Sequence, residues 1–174
     1  MKLIVGLGNI GREYELTRHN FGFLLLDEII SKYSLQSQGI KGKAETFTGM
    51  IDGHKVIAIK PQTFMNLSGQ AVGPIASFYK VEPDDIIVLH DEIDIDLGDV
   101  RSKQGGGNAG HNGLKSLDST IGKNYKRLRL GVGRPEDSRF EVSDYVLGKF
   151  TKEERVVVDE ICSEYSKKIL DLLV

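Results

Sequence analysis

Short apolar runs alternate with amphipathic stretches along most of the chain. Lys2–Leu7 and Asp85–His90 are brief apolar segments, and such segments predict buried strands. Elsewhere apolar residues recur at the spacing of one helix face, and capping residues mark where those stretches begin. The predicted helices start after Asn20, cover Gln70–Tyr79 and Leu114–Ile121, and follow Thr151 at the end of the chain.

A hairpin and a further strand complete the predicted elements. Thr46–Ile51 and Lys55–Lys60 flank Asp52-Gly53, a dipeptide typical of tight hairpin turns. Leu128–Val132 is predicted as a later strand. Because strands interleave with helices, the pattern predicts an α/β fold. We expect one domain over residues 1–174, with a mixed, mostly parallel twisted sheet and helices on both faces.

Composition narrows the class of protein. With 174 residues and 40% hydrophobic positions, the chain can bury a core without disulfides. Its lone cysteine, Cys162, has no partner within the chain, which fits a reducing compartment. No apolar run reaches the ~18 residues of a membrane helix. An apolar start resembling a signal peptide is interrupted at Gly6 and Gly8. We therefore expect a cytoplasmic protein that does not bind membranes.

Charge is distributed unevenly along the chain. The formal net charge is -2, yet Arg101–Arg139 contains nine Lys or Arg and three Asp or Glu, a balance of +6. A basic block on an acidic body can bind phosphates, although on charge alone a solvated surface is the better explanation.

Candidate chemistry lies where predicted strands end. His19 follows the first strand and a glycine turn, just before a helix, and Asp91 ends a strongly apolar strand. Sites in open α/β sheets form at such positions. An imidazole there can accept a proton at neutral pH, and a carboxylate can support it.

Three familiar motifs are incomplete. Gly6–Gly11 matches G-x-G-x-x-G, but the helix is predicted near Asn20 and the ribose-binding acid is missing, so a nicotinamide cofactor is not expected. Gly105–Gly113 lacks the lysine spacing of a phosphate loop, leaving a glycine-rich loop before a helix. The acids after Asp91 lack the calcium-loop spacing and are expected to face water. We expect no metal site.

Other polar positions have both structural and functional interpretations. Phe64-Met65-Asn66 is either a partly buried connector or an apolar wall with one polar group for a ligand. Ser68 is expected to cap the following helix. His111 is a possible polar lining of a site. A set of basic residues could bind phosphate together, or could simply be the polar face of a half-exposed strand and its neighbours. The set is Arg101, Lys103, Arg127, Arg129 and Arg134.

Several blocks, in order and spanning nearly the whole chain, resemble the bacterial peptidyl-tRNA hydrolases. Together they are highly specific, whereas each alone is not. The blocks are Gly6–Tyr14, Thr17–Gly22, Pro61–Gly69, His90–Asp94, Gly105–Lys115, Arg127–Pro135 and Tyr145–Phe150.

This resemblance implies a monomeric α/β hydrolase that cleaves the ester joining a peptide, or an N-blocked amino acid, to the 3′ ribose of tRNA. It implies no metal or organic cofactor. His19 would be the base that activates water, Asp91 would support it, and Asn9 would help to distinguish blocked from free amino groups. Tyr14, Phe64, Asn66 and Asn112 would contact the substrate end, and Lys103 and Arg129 would bind phosphates.

The chain departs from the family pattern at Ile10, Asp96 and Asn108-Ala109, without losing a catalytic group. Two alternatives remain open from the sequence. One is a non-catalytic RNA-binding module on the same scaffold, and the other is a nucleotide-binding enzyme, which the missing ribose acid disfavours.

Overall fold

Seven strands form one sheet in the order β2-β3-β4-β1-β5-β7-β6. The computed structural model describes residues 1–174. The strands are β1 (Lys2–Gly6), β2 (Gln36–Lys41), β3 (Ala44–Ile51), β4 (His54–Pro61), β5 (Ile86–Glu92), β6 (Val100–Gln104) and β7 (Lys126–Gly131). The four central strands β4, β1, β5 and β7 run parallel, whereas β2, β3 and β6 pair antiparallel at the two edges.

Helices cover both faces of this sheet. The helices are α1 (Phe21–Lys32), α2 (Ser68–Phe78), α3 (Asn112–Ile121), α4 (Val142–Val146), α5 (Lys152–Lys168) and α6 (Leu170–Leu173). Helices α1 and α5 pack with the sheet in one apolar cluster, and α2 and α3 pack in a second cluster on the opposite face. Central strands buried on both faces need apolar residues at successive positions, which explains their continuous apolar runs. The predicted single-domain α/β fold with a mixed, mostly parallel sheet is confirmed.

The edge strands β2 and β6 were not predicted. Every residue of β2 is exposed, and four of the five residues of β6 are exposed. Their sequences, QSQGIK and VRSKQ, therefore carry no buried alternation for a pattern to detect. They are strands because β3 and β7 offer free backbone groups to pair with.

The helix starts predicted at Asn20 and Thr151 were correct, but the side-chain caps predicted at Asn20 and Ser68 do not form. Thr151 accepts from the backbone N–H of Glu154, and Glu154 accepts from the N–H of Thr151, forming a full capping box. Helix α1 begins directly after Asn20, yet the Asn20 side chain makes no capping bond. Ser68 is the first residue of α2, and its hydroxyl donates to the carbonyl of Met65 instead of accepting from the helix.

A close contact fixes α1 against the strand ends. A Cβ at Gly22 would collide with the carbonyl oxygen of Leu89 and lie 2.8 Å from the backbone of Leu7. Only glycine allows the helix to approach β1 and β5 so closely. This contact sets the distance between the turn just before α1, where His19 lies, and the end of β5, where Asp91 lies.

No helix of the chain is both long enough and apolar enough to cross a membrane.

Candidate active site

The parallel strands bring separate parts of the sequence to one edge of the sheet. Asn9 follows β1, the segment Phe64–Asn66 follows β4, and Asp91 is the penultimate residue of β5. The carboxyl ends of parallel neighbours meet at the same edge, which is where α/β folds place their sites. The parallel pairing of β4, β1 and β5 therefore brings these predicted site residues to the same edge of the sheet.

His19 and Asp91 are in direct contact. The Nδ1 atom of His19 lies 2.8 Å from Oδ2 and 3.0 Å from Oδ1 of Asp91. His19 lies in a 3₁₀ turn, Arg18–Asn20, and is 9% exposed, while Asp91 is 2% exposed. Because an ionised carboxylate only accepts, this contact places the proton of neutral His19 on Nδ1 and leaves Nε2 as the basic atom.

His111 is a second histidine bonded to the same carboxylate. Its Nε2 lies 2.9 Å from Oδ1 of Asp91. Its Nδ1 accepts from the backbone N–H groups of Gly113 and Leu114, which caps α3. Since Nδ1 accepts, Nε2 must carry the proton and donate to Asp91. The carboxylate therefore receives an N–H from each of two imidazoles.

These contacts shift the pKa values in opposite directions. Burial alone would lower the pKa of His19, but the charge of Asp91 and its hydrogen bond outweigh burial, and the net pKa is raised. Burial raises the pKa of Asp91, but the two histidines outweigh it and hold that pKa well below its usual range. Asp91 is thus a carboxylate at any physiological pH, available to stabilise an imidazolium.

His19, Asp91 and His111 are also close enough together to be tested as metal ligands. Their ligand atoms all lie within 4.8 Å of one another. Bound metal requires deprotonated nitrogen atoms. Here the nitrogen of each histidine that faces Asp91 is a donor, so the hydrogen bonds account for the cluster without an ion. The expectation of no metal stays a prediction.

One cavity opens beside this cluster, and we call it the His19 cavity. It has a volume of about 360 Å³. Its walls include Asn112 at the start of α3 and residues of α4, so the predicted substrate contact Asn112 does share a cavity with the predicted base. Its other lining residues include Asp91, Glu92, Ala109, His111, Glu141, Val142 and Val146.

Asn9 lies on the other side of the turn that carries His19. Its backbone N–H donates to Oδ1 of Asn20 at 2.8 Å, and its carbonyl accepts from Nδ2 of Asn20 at 2.9 Å. Its own Oδ1 accepts from the N–H of Met65 at 2.7 Å. Asn9 therefore ties the ends of β1, β4 and the His19 turn together, and it lines a separate cleft of about 410 Å³.

The predicted aromatic contacts lie together at the surface. Tyr14 and Phe64 meet edge to face, with ring centroids 6.5 Å apart. Phe64 is 55% exposed although it is large and apolar. The neighbouring Asn66 is exposed as well. The pair thus offers an aromatic surface beside a free amide, as a stacking ligand would require.

Lys103 and Arg129 line a second cavity, which we call the Arg129 cavity. Its volume is about 360 Å³, and it shares Glu92 and Ala109 with the His19 cavity. Buried nitrogen atoms of three residues around it have no hydrogen-bond partner: Nε2 of His90, Nε of Arg127 and Nε of Arg129. Burial, aided by the charge of His111, lowers the pKa of His90 to about 3, so His90 is neutral there.

Arg127 has a different role from the one its position beside Arg129 indicated. It is 1% exposed, and its guanidinium donates to the carbonyl oxygens of Gly106 and Gly107 at 3.0 and 2.7 Å. Arg127 therefore supports the glycine-rich loop from within and cannot present its charge freely to solvent. Arg134 is paired with Asp94 at 2.6 Å at the surface.

The glycine-rich loop departs from the family pattern at Asn108 and Ala109. Ala109 lies at φ 50°, in the left-handed region that glycine occupies without strain. Asn108 stabilises this turn by accepting from the N–H of Gly110 and donating to Asp118. The Asn108 side chain thus supports the turn that contains Ala109. The prediction that the later acids face water holds for Asp94 and Asp96, which are exposed, whereas Glu92 is half-buried and lines both cavities.

Sequence reasoning gave no definite role to His111. Its position before Gly113 and a predicted helix was visible, and that position is where helix caps occur. Histidine is not among the preferred capping residues, so the pattern pointed only to polar lining. Its contact with Asp91 depends on α3 and β5 meeting, which is a tertiary fact.

The amino-acid sequence is similar to known proteins along almost its whole length. The family model described as peptidyl-tRNA hydrolase matches residues 3–174. This chain belongs to the peptidyl-tRNA hydrolase family. The Lactiplantibacillus plantarum peptidyl-tRNA hydrolase is 49% identical over 161 residues, covering 92% of this chain and 86% of that protein. The Rickettsia bellii enzyme is 49% identical over 162 residues, with the same coverages.

The fold of this chain is also similar to that of a solved peptidyl-tRNA hydrolase over almost its whole length. The peptidyl-tRNA hydrolase of Acinetobacter baumannii is 41% identical and superimposes with a TM-score of 0.94. The match covers 99% of this chain and 88% of that one. The family resemblance carried by the separate sequence blocks is therefore confirmed. The roles of individual site residues stay predictions.

Proposed function

We propose that this protein hydrolyses the ester bond between a peptide, or an N-blocked amino acid, and the 3′ ribose of tRNA, with His19 as general base. The observation that carries the proposal is the contact of Nδ1 of His19 with Asp91 at 2.8 Å, on a side chain that lines an open cavity. A base needs an orienting partner on one nitrogen and a free nitrogen toward the substrate. The sequence match to the family supplies the substrate class.

The reaction proceeds through attack of water on the ester carbonyl carbon. As the oxygen–carbon bond forms, Nε2 of His19 takes a proton from the water, and Asp91 stabilises the resulting imidazolium. The tetrahedral intermediate then expels the ribose oxygen, which receives that proton from Nε2. The products are a free peptide carboxylic acid, which ionises, and a tRNA with its 3′ end restored. General base catalysis of this kind contributes ~10²–10⁴-fold.

Neutral amides are proposed to handle the ester and the peptide. Asn112 lines the His19 cavity, and Asn66 is exposed beside Phe64. An amide can donate to a developing oxyanion and accept from a peptide N–H. Asn9 is proposed to help discriminate blocked from free amino groups, although its Oδ1 is engaged with the N–H of Met65 and only its amide N–H groups remain available.

Substrate binding is proposed to divide between stacking and charge. Tyr14 and Phe64 present an exposed aromatic surface for the terminal nucleoside. Lys103 and Arg129 line a cavity with unpaired donors, which suits a tRNA phosphate. Phosphate contacts give affinity without reading sequence, as an enzyme serving many tRNAs requires. A monomeric state, the cytoplasmic location and independence from cofactors remain predictions.

One assay tests the proposal against its alternatives. The protein is incubated with N-acetyl-aminoacyl-tRNA and, separately, with the same aminoacyl-tRNA carrying a free amino group, in buffer with a chelator and no cofactor. Hydrolysis of only the blocked substrate supports the proposal. Tight tRNA binding without hydrolysis of either substrate would instead favour an RNA-binding module, and dependence on an added nucleotide would favour a nucleotide-binding enzyme.

A further inference from the structure

Arg18, the neighbour of the proposed base, has a largely buried guanidinium that contacts Glu154 and Tyr145 and lies near the ring of Phe150. Its Nη2 lies 2.9 Å from Oε1 of Glu154, and its Nη1 donates to the carbonyl of Tyr145 at 3.2 Å. Its Cζ lies 4.2 Å from the centroid of the Tyr145 ring and 5.9 Å from that of Phe150. The side chain is 12% exposed, so these contacts are largely shielded from water.

The backbone around Arg18 is joined to the same part of the chain. The N–H of Arg18 donates to the carbonyl of Gly148 at 3.0 Å. The N–H of Phe150 donates to the carbonyl of Leu16 at 2.9 Å, and Thr17 forms an isolated bridge with Lys149. The turn that carries His19 is thus paired with the segment between α4 and α5, two regions far apart in the sequence.

The far end of this connection reaches the cavity itself. Tyr145 belongs to α4, and Val142, Ser143 and Val146 of that helix line the His19 cavity. The hydroxyl of Tyr145 donates to the carbonyl of Val132 at 2.7 Å, which anchors α4 to the end of β7. Arg18 therefore contacts both the element that holds the proposed base and the element that forms the opposite wall.

We propose that Arg18 is a positioning residue, which holds the His19 turn and the α4 wall in one fixed relation through its stack on Tyr145 and its ion pair with Glu154. This inference rests on the proposed function, because it concerns how the base meets the substrate. The ester carbonyl must be held within reach of Nε2 of His19, in the cavity that α4 also lines. A misplacement of 1 Å at such a point can cost about 10²-fold in rate.

The chemistry of the contact requires arginine. A guanidinium is planar, so it can stack on an aromatic ring while its edge bonds to a carboxylate and a carbonyl. A lysine keeps the charge but cannot make both contacts in that geometry. The Nε of Arg18 is buried without a partner, which costs stability. That cost fits a side chain retained for the geometry it imposes.

Three substitutions separate positioning from simple stabilisation. Arg18→Lys keeps the charge and removes the planar stack. Tyr145→Leu and Tyr145→Phe form a matched pair, because both lose the bond to Val132 but only the leucine loses the ring under Arg18. Lys2→Met serves as the remote control, since it breaks a 2.6 Å ion pair with Asp85 at the opposite end of the strands.

The measurements are kcat and KM on N-acetyl-aminoacyl-tRNA, the pH dependence of kcat/KM, and Tm, all with assays well below the lowest Tm. We expect kcat to fall about 10-fold in Arg18→Lys, and to be lower in Tyr145→Leu than in Tyr145→Phe by a similar factor. The double variant Arg18→Lys with Tyr145→Leu should be no slower than the slower single variant. Lys2→Met should lower Tm alone.

Each result decides the inference. A lowered Tm with unchanged kcat and an unchanged pH profile in Arg18→Lys would show a structural role only and overturn it. Multiplicative losses in the double variant would show that the two side chains act independently, which also overturns it. If Arg18→Lys does not fold, the Tyr145 pair decides alone. Failure of the unmodified protein to hydrolyse the substrate would refute the proposed function instead.

Discussion

The two neighbouring cavities differ in how their polar groups are paired. In the His19 cavity, Asp91 accepts from both His19 and His111, so the buried charge has two donors. In the Arg129 cavity, the Nε–H donors of Arg127 and Arg129 are buried without partners. Nε2 of His90 is also unpaired there, but it is an acceptor because Nδ1 of His90 donates to the carbonyl of Asp91. Buried polar groups without partners are costly and uncommon in folded proteins.

This difference matches two different tasks. A base must have one defined tautomer before the substrate arrives, and full hydrogen bonding of Nδ1 provides that definition. A ligand pocket must instead leave donors available, because an incoming phosphate can only gain from groups that are not already satisfied. We therefore expect changes in the His19 cavity to act mainly on kcat and changes in the Arg129 cavity to act mainly on KM.

The largest expected effect is at the base itself. In His19→Ala, kcat on N-acetyl-aminoacyl-tRNA should fall by ~10²–10⁴-fold, because the variant lacks the imidazole that Asp91 orients to take the proton. Binding of uncharged tRNA, measured by a mobility or anisotropy assay, should stay close to that of the unmodified protein. Equal activity in this variant would refute the assignment of the base.

The next effect concerns pH as well as rate. In the unmodified protein, kcat/KM should rise with pH through an inflection above 6.5, because the raised pKa keeps His19 protonated at lower pH and only the neutral form is a base. In Asp91→Asn, burial remains but the raising charge is gone, so the inflection should move down in pH. The plateau should also fall by about 10²-fold, since the amide cannot stabilise imidazolium. An inflection that stays in place would separate the observed titration from His19.

A smaller effect, and one on binding, is expected in the second cavity. Arg129→Gln should raise KM by about 10-fold, because a charge-assisted phosphate contact contributes roughly 1.5 kcal/mol. It should also reduce the slope of log KM against log salt by about 1, as expected for the loss of one phosphate contact, with kcat nearly unchanged. A loss confined to kcat would mean that the two cavities are not divided as proposed.

The smallest effect tests the border of the Arg129 cavity. Arg134 pairs with Asp94, a residue that lines this cavity, so Arg134→Gln should expose an uncompensated carboxylate near the phosphate. We expect KM to rise about 2-fold, because an exposed pair is well screened. The same measurement on Arg134→Lys, which keeps the charge, should show no change. A rise as large as that of Arg129→Gln would place Arg134 in direct contact with tRNA.

Elements with buried side chains could be predicted from the sequence, whereas exposed elements could not. Strands β1 and β5 and the β3–β4 hairpin were predicted because apolar runs and Asp52-Gly53 are local signals. The edge strands β2 and β6 left no such signal, since their pairing depends on neighbours rather than on their own side chains. Arg127 and Arg129 are two positions apart on β7, so the sequence pattern does not distinguish them. The fold buries Arg127 beneath the glycine-rich loop.

The sequence by itself determined the family, the α/β order of elements and the two residues that meet at the proposed catalytic contact. These follow from local patterns and from motifs that occur in a fixed order. Only the tertiary structure decided that His111 joins Asp91 and that Arg18 links the His19 turn to α4. Both contacts join segments separated by long stretches of chain, and a one-dimensional pattern holds no record of which distant segments the sheet brings together.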